Sequence, residues 1–105
     1  MIDQRLIDEV VQRIVERLHP RKVVVFGSHA RGDADPESDL DLFVETETPL
    51  RPPERAIEIS RLFGLRPWAL DVIVYTPQEA ERLRQVPGSF INTIEAEGKV
   101  LYERR

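Results

Sequence analysis

Cysteine is absent from the 105-residue chain, which excludes disulfide staples and thiolate metal sites. The N-terminus carries Asp3 and Asp8 and no apolar leader segment. The expected location is therefore cytoplasmic. Long hydrophobic runs are also missing. Stretches such as Val23–Phe26 fall far short of the ~20 residues that a membrane span needs, so no membrane partner is expected. Lysine is scarce: of 15 basic residues only Lys22 and Lys99 are lysines, the rest being arginine. A positive field is lacking too, since the formal net charge is −4. Phosphate neutralisation supplies most non-specific affinity for nucleic acid, so a polynucleotide partner is not favoured. What remains is 41% apolar and 32% charged, the balance of an ordinary globular chain, and 105 residues suit one domain spanning 1–105.

Ile2, Leu6, Ile7, Val10, Val11, Ile14 and Leu18 recur at helical spacing, predicting an amphipathic helix over 2–18 that ends at His19-Pro20. Lys22–Phe26 reads as a buried strand. Ser28 is placed to cap a short turn reaching Arg31. A polar loop over 33–38 leads to Asp39–Val44, whose alternation predicts a strand with one buried face. A helix over about 53–63, a strand over 70–75, helices over about 77–85 and 89–97, and a short edge strand near 100–102 complete the chain. The first two strands are joined by roughly a dozen residues, short for a parallel crossover. The expectation is an α/β (α+β) fold, with a small mixed sheet flanked by helices in two or three layers.

Asp39 and Asp41 stand two apart on a strand, so both side chains leave the same face, with Cα atoms about 7 Å apart. Two close carboxylates repel unless a cation compensates, and oxygen-only ligation suits Mg²⁺. The pair could equally be the solvated face of an edge strand. Aspartate is depleted in strands, however, and such local conflicts tend to mark functional sites. Gly27-Ser28 directly after a buried strand can bring backbone amides and a hydroxyl to a phosphate, or simply turn the chain. Arg31 is a cation suited to phosphate, or a surface partner of Asp33 or Asp35. Asp71 lies inside a strand among apolar residues. If that strand neighbours the second, three carboxylates can hold two Mg²⁺ ions; otherwise Asp71 is an exposed edge residue.

Two look-alikes fail. Gly27–Gly32 has the gap of a P-loop, but Asp33-Ala34 replaces the required Lys-Ser/Thr. The acidic run from Asp33 lacks the glycine and glutamate of a calcium loop, having Ser38 and Val44 there. His19 reads as exposed; His29, beside Ser28, reads as solvated, with a reach to nucleotide as the alternative; Trp68 and Tyr75 read as core or sheet surface rather than base-stacking shelves.

Phe26-Gly27-Ser28-His29-Ala30-Arg31-Gly32, followed by Ser38-Asp39-Leu40-Asp41-Leu42, closely resembles the signature of the DNA polymerase β-like nucleotidyltransferases. The whole chain resembles the minimal branch of that superfamily, including Asp71 on a later strand and the ending Glu97-Gly98-Lys99-Val100-Leu101-Tyr102. The resemblance implies that Gly27 and Ser28 hold the β- and γ-phosphates of ATP or another NTP, with Arg31 supporting the grip. It further implies that Asp39, Asp41 and Asp71 are catalytic and hold two Mg²⁺ ions, and that Asp71 helps deprotonate an acceptor hydroxyl. Members of this branch often pair with a small helical HEPN protein in toxin–antitoxin systems, where the transferase modifies the toxin with AMP. So short a chain leaves little surface for an acceptor pocket, which points to a partner or a homodimer completing the site. The competing expectations are a module that masks its partner without chemistry, and a small-molecule nucleotidyltransferase.

Overall fold

A computed structural model describes residues 2–104. The elements run α1 (Gln4–Leu18), β1 (Lys22–Phe26), α2 (Ser28–Arg31), β2 (Leu40–Glu45), α3 (Pro52–Arg61), β3 (Leu70–Tyr75), α4 (Pro77–Arg84), α5 (Phe90–Glu97) and β4 (Lys99–Glu103). Local chemistry explains most boundaries. Asp3, extended, accepts the amide of Leu6 and caps α1, so that helix starts two residues later than the apolar pattern alone suggests. At its other end His19 is left-handed, with φ of 50°. α4 opens with a reciprocal capping box between Thr76 and Glu79, with proline in its first turn.

The four strands lie in the order β3-β2-β1-β4. β1 runs antiparallel to β2 and to β4, while β2 and β3 are parallel, so the sheet is mixed as expected. The parallel pair is joined by a crossover that carries α3.

Each face of the sheet is covered by two helices. On one, Val23, Val25, Leu40, Leu42 and Val44 pack with Ile7, Val10 and Ile14 of α1 and Ile59 of α3. On the other, Val24 and Phe43 pack with Ala80 of α4 and with Ile91 and Ile94 of α5. This corrects the reading of β2 as a strand with one buried face. From Leu42 to Glu45 every residue is buried, because a central strand covered on both faces needs no polar side. Glu45 itself is buried beneath Arg84, which also donates to Glu95 at 2.8 and 2.9 Å.

Candidate active site

The odd-numbered positions of β2 and β3 share the face covered by α4 and α5. Along that face the pairs are Asp41 beside Asp71, Phe43 beside Ile73, and Glu45 beside Tyr75. Phe43, Ile73 and Tyr75 lie under the helices, whereas Asp41 is half-buried and Asp71 exposed. The helical cover therefore stops short of one end of the sheet, and the carboxylates occupy that end. Neighbouring strands lie about 4.8 Å apart, so the parallel register holds Asp41 and Asp71 side by side on one face. β3 is an edge strand, so Asp71 is both an exposed edge residue and a neighbour of Asp41.

Asp39 precedes β2 instead of opening it, and it is exposed. The loop before it is closed by Asp35 and Ser38: the Ser38 amide donates to the Asp35 carbonyl at 3.0 Å, and the Asp35 side chain accepts the Glu37 amide at 2.9 Å. The amide of Leu40 then donates to the Ala69 carbonyl at 2.9 Å, which registers Asp39-Leu40 against the start of β3.

On the other side of Asp41 lies β1, where Phe26 is its register partner. Gly27 follows with φ of 72°, a conformation that side chains rarely adopt. A methyl group at Gly27 would also collide with the Asp41 carboxylate. The backbone angle requires the glycine, and its bare Cα admits the acid; a side chain there would force the Asp41 carboxylate to turn away. Gly27 occupies the cap position of α2, and Ser28 is the first helical residue instead of the cap. Arg31, at the end of that turn, reaches Asp33 at 3.3 Å, the surface pairing foreseen as its alternative role. Both partners are more than half exposed, so the pair contributes about 0–1 kcal/mol and leaves Arg31 exchangeable toward an anion.

Burial pushes the Asp41 carboxyl above its ordinary value of 3.8; Asp71 and then Asp39 push it the same way, while His29 and Arg31 pull it back. This crowding of negative charge next to a backbone turn is what a bound cation would relieve. The donors are all hard oxygens, which fits a divalent ion of the Mg²⁺ type. Among the described residues no three His, Asp or Glu side chains already stand in ligand geometry. The backbone brings two of the acids together, and closure on an ion is left to their rotamers.

Sequence reasoning missed two features. His29, read as solvated, is half-buried, and its Nε2 is enclosed without a hydrogen-bond partner. Only its place next to Ser28 hinted at this. Arg55 is buried and donates to the carbonyls of Leu50 and Val74 and, at 2.7 and 3.2 Å, to both oxygens of Glu79. It ties α3 and α4 to β3, the strand that carries Asp71. The Thr76-to-Glu79 capping spacing was a legible signal for Glu79, whereas nothing near Arg55 marks it as buried.

Comparison with known proteins identifies the family. The family model for the nucleotidyltransferase domain matches residues 7–103. A Methanocaldococcus jannaschii protein named as a candidate protein adenylyltransferase is 28% identical over 106 residues, covering 97% of this chain and 100% of the relative. Among solved structures, a candidate nucleotidyltransferase from Sulfolobus solfataricus superposes with a TM-score of 0.65 at 23% identity, over 95% of this chain and 79% of that one. A toxin–antitoxin structure with AMP-PNP superposes with a TM-score of 0.61 at 17% identity, over 93% of this chain and 74% of that one. At those identities the two structures speak for the fold alone. With nearly its whole length inside the matched domain, the chain belongs to the nucleotidyltransferase family and is a transferase of that class.

Proposed function

We propose that this protein is a Mg²⁺-dependent adenylyltransferase that moves AMP from ATP to a hydroxyl of a partner protein, acting as the antitoxin of a HEPN-type toxin in the cytoplasm. The observation that carries the reading is the parallel register of Asp41 and Asp71 at the uncovered end of the sheet, next to the Gly27-Ser28 turn. The M. jannaschii relative supports a protein acceptor, and the toxin–antitoxin structure supports the setting.

In this reading Gly27 and Ser28 seat the β- and γ-phosphates through backbone amides and the serine hydroxyl, and Arg31 leaves Asp33 to neutralise them. Asp39, Asp41 and Asp71 would hold two Mg²⁺ ions, which when bound supply charge neutralisation for the entering and leaving oxygens. The acceptor oxygen attacks the α-phosphorus and its proton passes to Asp71. A new P–O ester forms, the bond to the bridging oxygen breaks, and pyrophosphate leaves along the Gly27-Ser28 turn.

Intact mass spectrometry of a co-purified partner after incubation with Mg-ATP tests the reading. The partner should gain the mass of one or more AMP units, and Asp41→Asn or EDTA should abolish the gain. A tight complex whose partner stays unmodified would favour masking. Modification of a free small molecule without any partner would favour the small-molecule enzyme.

A further inference from the structure

A nucleobase presents a flat π-surface, and an aromatic side chain with an open face is the residue type that holds it by stacking. The base of a nucleotide is tethered to its phosphates through one ribose. An aromatic shelf for it must therefore lie on the carboxylate face of the sheet, at the uncovered end, close to the Gly27-Ser28 turn.

Most of the chain's aromatic side chains fail that condition. Phe43 is fully buried, and Tyr75 packs against it at 5.7 Å beneath α4 and α5. Phe63 and Trp68 pack together on the α1 side of the sheet, where Arg66 already covers the Trp68 ring at 5.2 Å. Tyr102 belongs to that same side. Phe26 and Phe90 remain. Phe26 directly precedes Gly27 and is the register partner of Asp41, so the two side chains leave one face of the sheet, with Cα atoms about 5 Å apart. The Phe90 ring stands edge-on to Phe26, with centroids 5.8 Å apart and planes at 88°.

Phe90 opens α5, at the rim where the helical cover stops. Ile91 and Ile94 turn into the core, whereas half of Phe90 faces solvent. Its place is nevertheless fixed. Ser89 Oγ donates to the Leu83 carbonyl at 2.8 Å, and the Asn92 side chain donates to the Val86 carbonyl at 2.9 Å. These bonds pin the turn between α4 and α5 on both sides of the ring. A ring held in position loses little entropy when a ligand stacks on it.

We infer that Phe90 is the base shelf of the nucleotide site: with the triphosphate on the Gly27-Ser28 turn, the base lies against the open side of the Phe90 ring, which Phe26 backs. The inference rests on the nucleotidyl-transfer reading and adds to it the residue that receives the base and the class of base it prefers. Purines offer more stacking surface than pyrimidines, so the shelf favours a purine nucleotide.

Isothermal titration calorimetry in Mg²⁺ tests it with three probes: a non-hydrolysable ATP analogue, the matching CTP analogue, and inorganic tripolyphosphate, which has no base. Wild type should bind the ATP analogue more tightly than the CTP analogue. Phe90→Ala should weaken the ATP analogue about tenfold, narrow the purine preference, and leave tripolyphosphate unchanged. Phe90→Tyr should keep the wild-type affinity, and Phe90→Leu, which retains apolar bulk without a π-face, should not. Equal losses for the ATP analogue and tripolyphosphate in Phe90→Ala, or full affinity in Phe90→Leu, would overturn the inference. So would light scattering that shows a dimer lost in Phe90→Ala with analogue affinity unchanged, since the ring would then belong to an interface between copies. Tripolyphosphate binding with an ATP-analogue affinity indifferent to Phe90 would overturn the shelf alone. A wild type that binds neither the analogues nor tripolyphosphate would overturn the nucleotidyl-transfer reading and the shelf with it.

Discussion

Gly27 and Asp41 are coupled by contact. Replacing Gly27 by alanine puts a methyl group against the Asp41 carboxylate and forces a left-handed backbone on a residue that avoids it. The backbone cost alone is about 1–3 kcal/mol, because φ of 72° with ψ of −152° is a region only glycine visits freely. Gly27→Ala should therefore lower thermal stability modestly and reduce nucleotidyl transfer at least ~100-fold, the scale at which small misplacements near reacting groups register. Transfer at the wild-type rate would show that the turn does not hold nucleotide.

Asp41 gives a prediction of opposite sign for stability. Its folded-state carboxyl is raised by burial and by Asp71 and Asp39, so the folded protein binds that proton more tightly than the unfolded chain does. The ionised form thus weakens the metal-free fold above the raised value, and the strain is fully relieved below the ordinary value of 3.8. In EDTA, Asp41→Asn should melt above the wild type at neutral pH, and the gap should close as the pH falls through that window. A variant that melts lower at pH 7 would mean that Asp41 stabilises the fold instead of straining it.

At the scale of elements, the chain's β-branched runs made the strands legible almost to the residue, whereas β2 beside β3 was only a condition in the sequence and their register comes from the structure. The three aspartates could be marked as candidates because aspartate is out of place in or beside a strand, and the Gly-Ser turn because it follows a buried strand directly. Pairing and bifacial burial were not legible. Glu45 looks like the polar end of a strand, yet it is buried beneath Arg84, whose partner role no local pattern announces. Gly98 was read as a helix stop. The structure shows a second reason: a side chain there would meet the Ile94 and Val25 carbonyls and the Val24 side chain, so α5 packs against β1 only through glycine.

Arg55 belongs to the same scale. Arg55→Met would strip the Leu50 and Val74 carbonyls of a donor and leave Glu79 without its partner, while Glu79 keeps some access to water. The expected cost is about 2–3 kcal/mol. Arg55 holds the Glu79 carboxyl below its ordinary value of 4.5, despite burial pushing the other way. That share of the stability is present above 4.5 and lost as the pH falls through the lowered value. Urea unfolding should therefore show the difference between wild type and Arg55→Met shrinking below that pH. A difference that does not change with acidification would assign the loss to packing alone.

For the whole molecule, the architecture divides labour between the two ends of one sheet face. At one end α4 and α5 seal the sheet, with Arg84, Glu95 and Lys22 closing over Glu45. At the other the cover is withdrawn, and Asp41 and Asp71 stand beside the glycine turn. Nothing in the linear pattern distinguishes these ends, because Asp41, Phe43 and Glu45 alternate along one strand and only the helices decide which is covered.

The central claim is that the three aspartates and the Gly27-Ser28 turn form one site for a divalent ion and a triphosphate. The most direct test is to map paramagnetic broadening of ¹⁵N amide signals by Mn²⁺ with a non-hydrolysable ATP analogue. Broadening should centre on Gly27, Ser28, Asp39, Asp41 and Asp71 and disappear in Asp41→Asn. Broadening centred on the acidic loop Asp33–Glu37, or sparing Asp71, would contradict it.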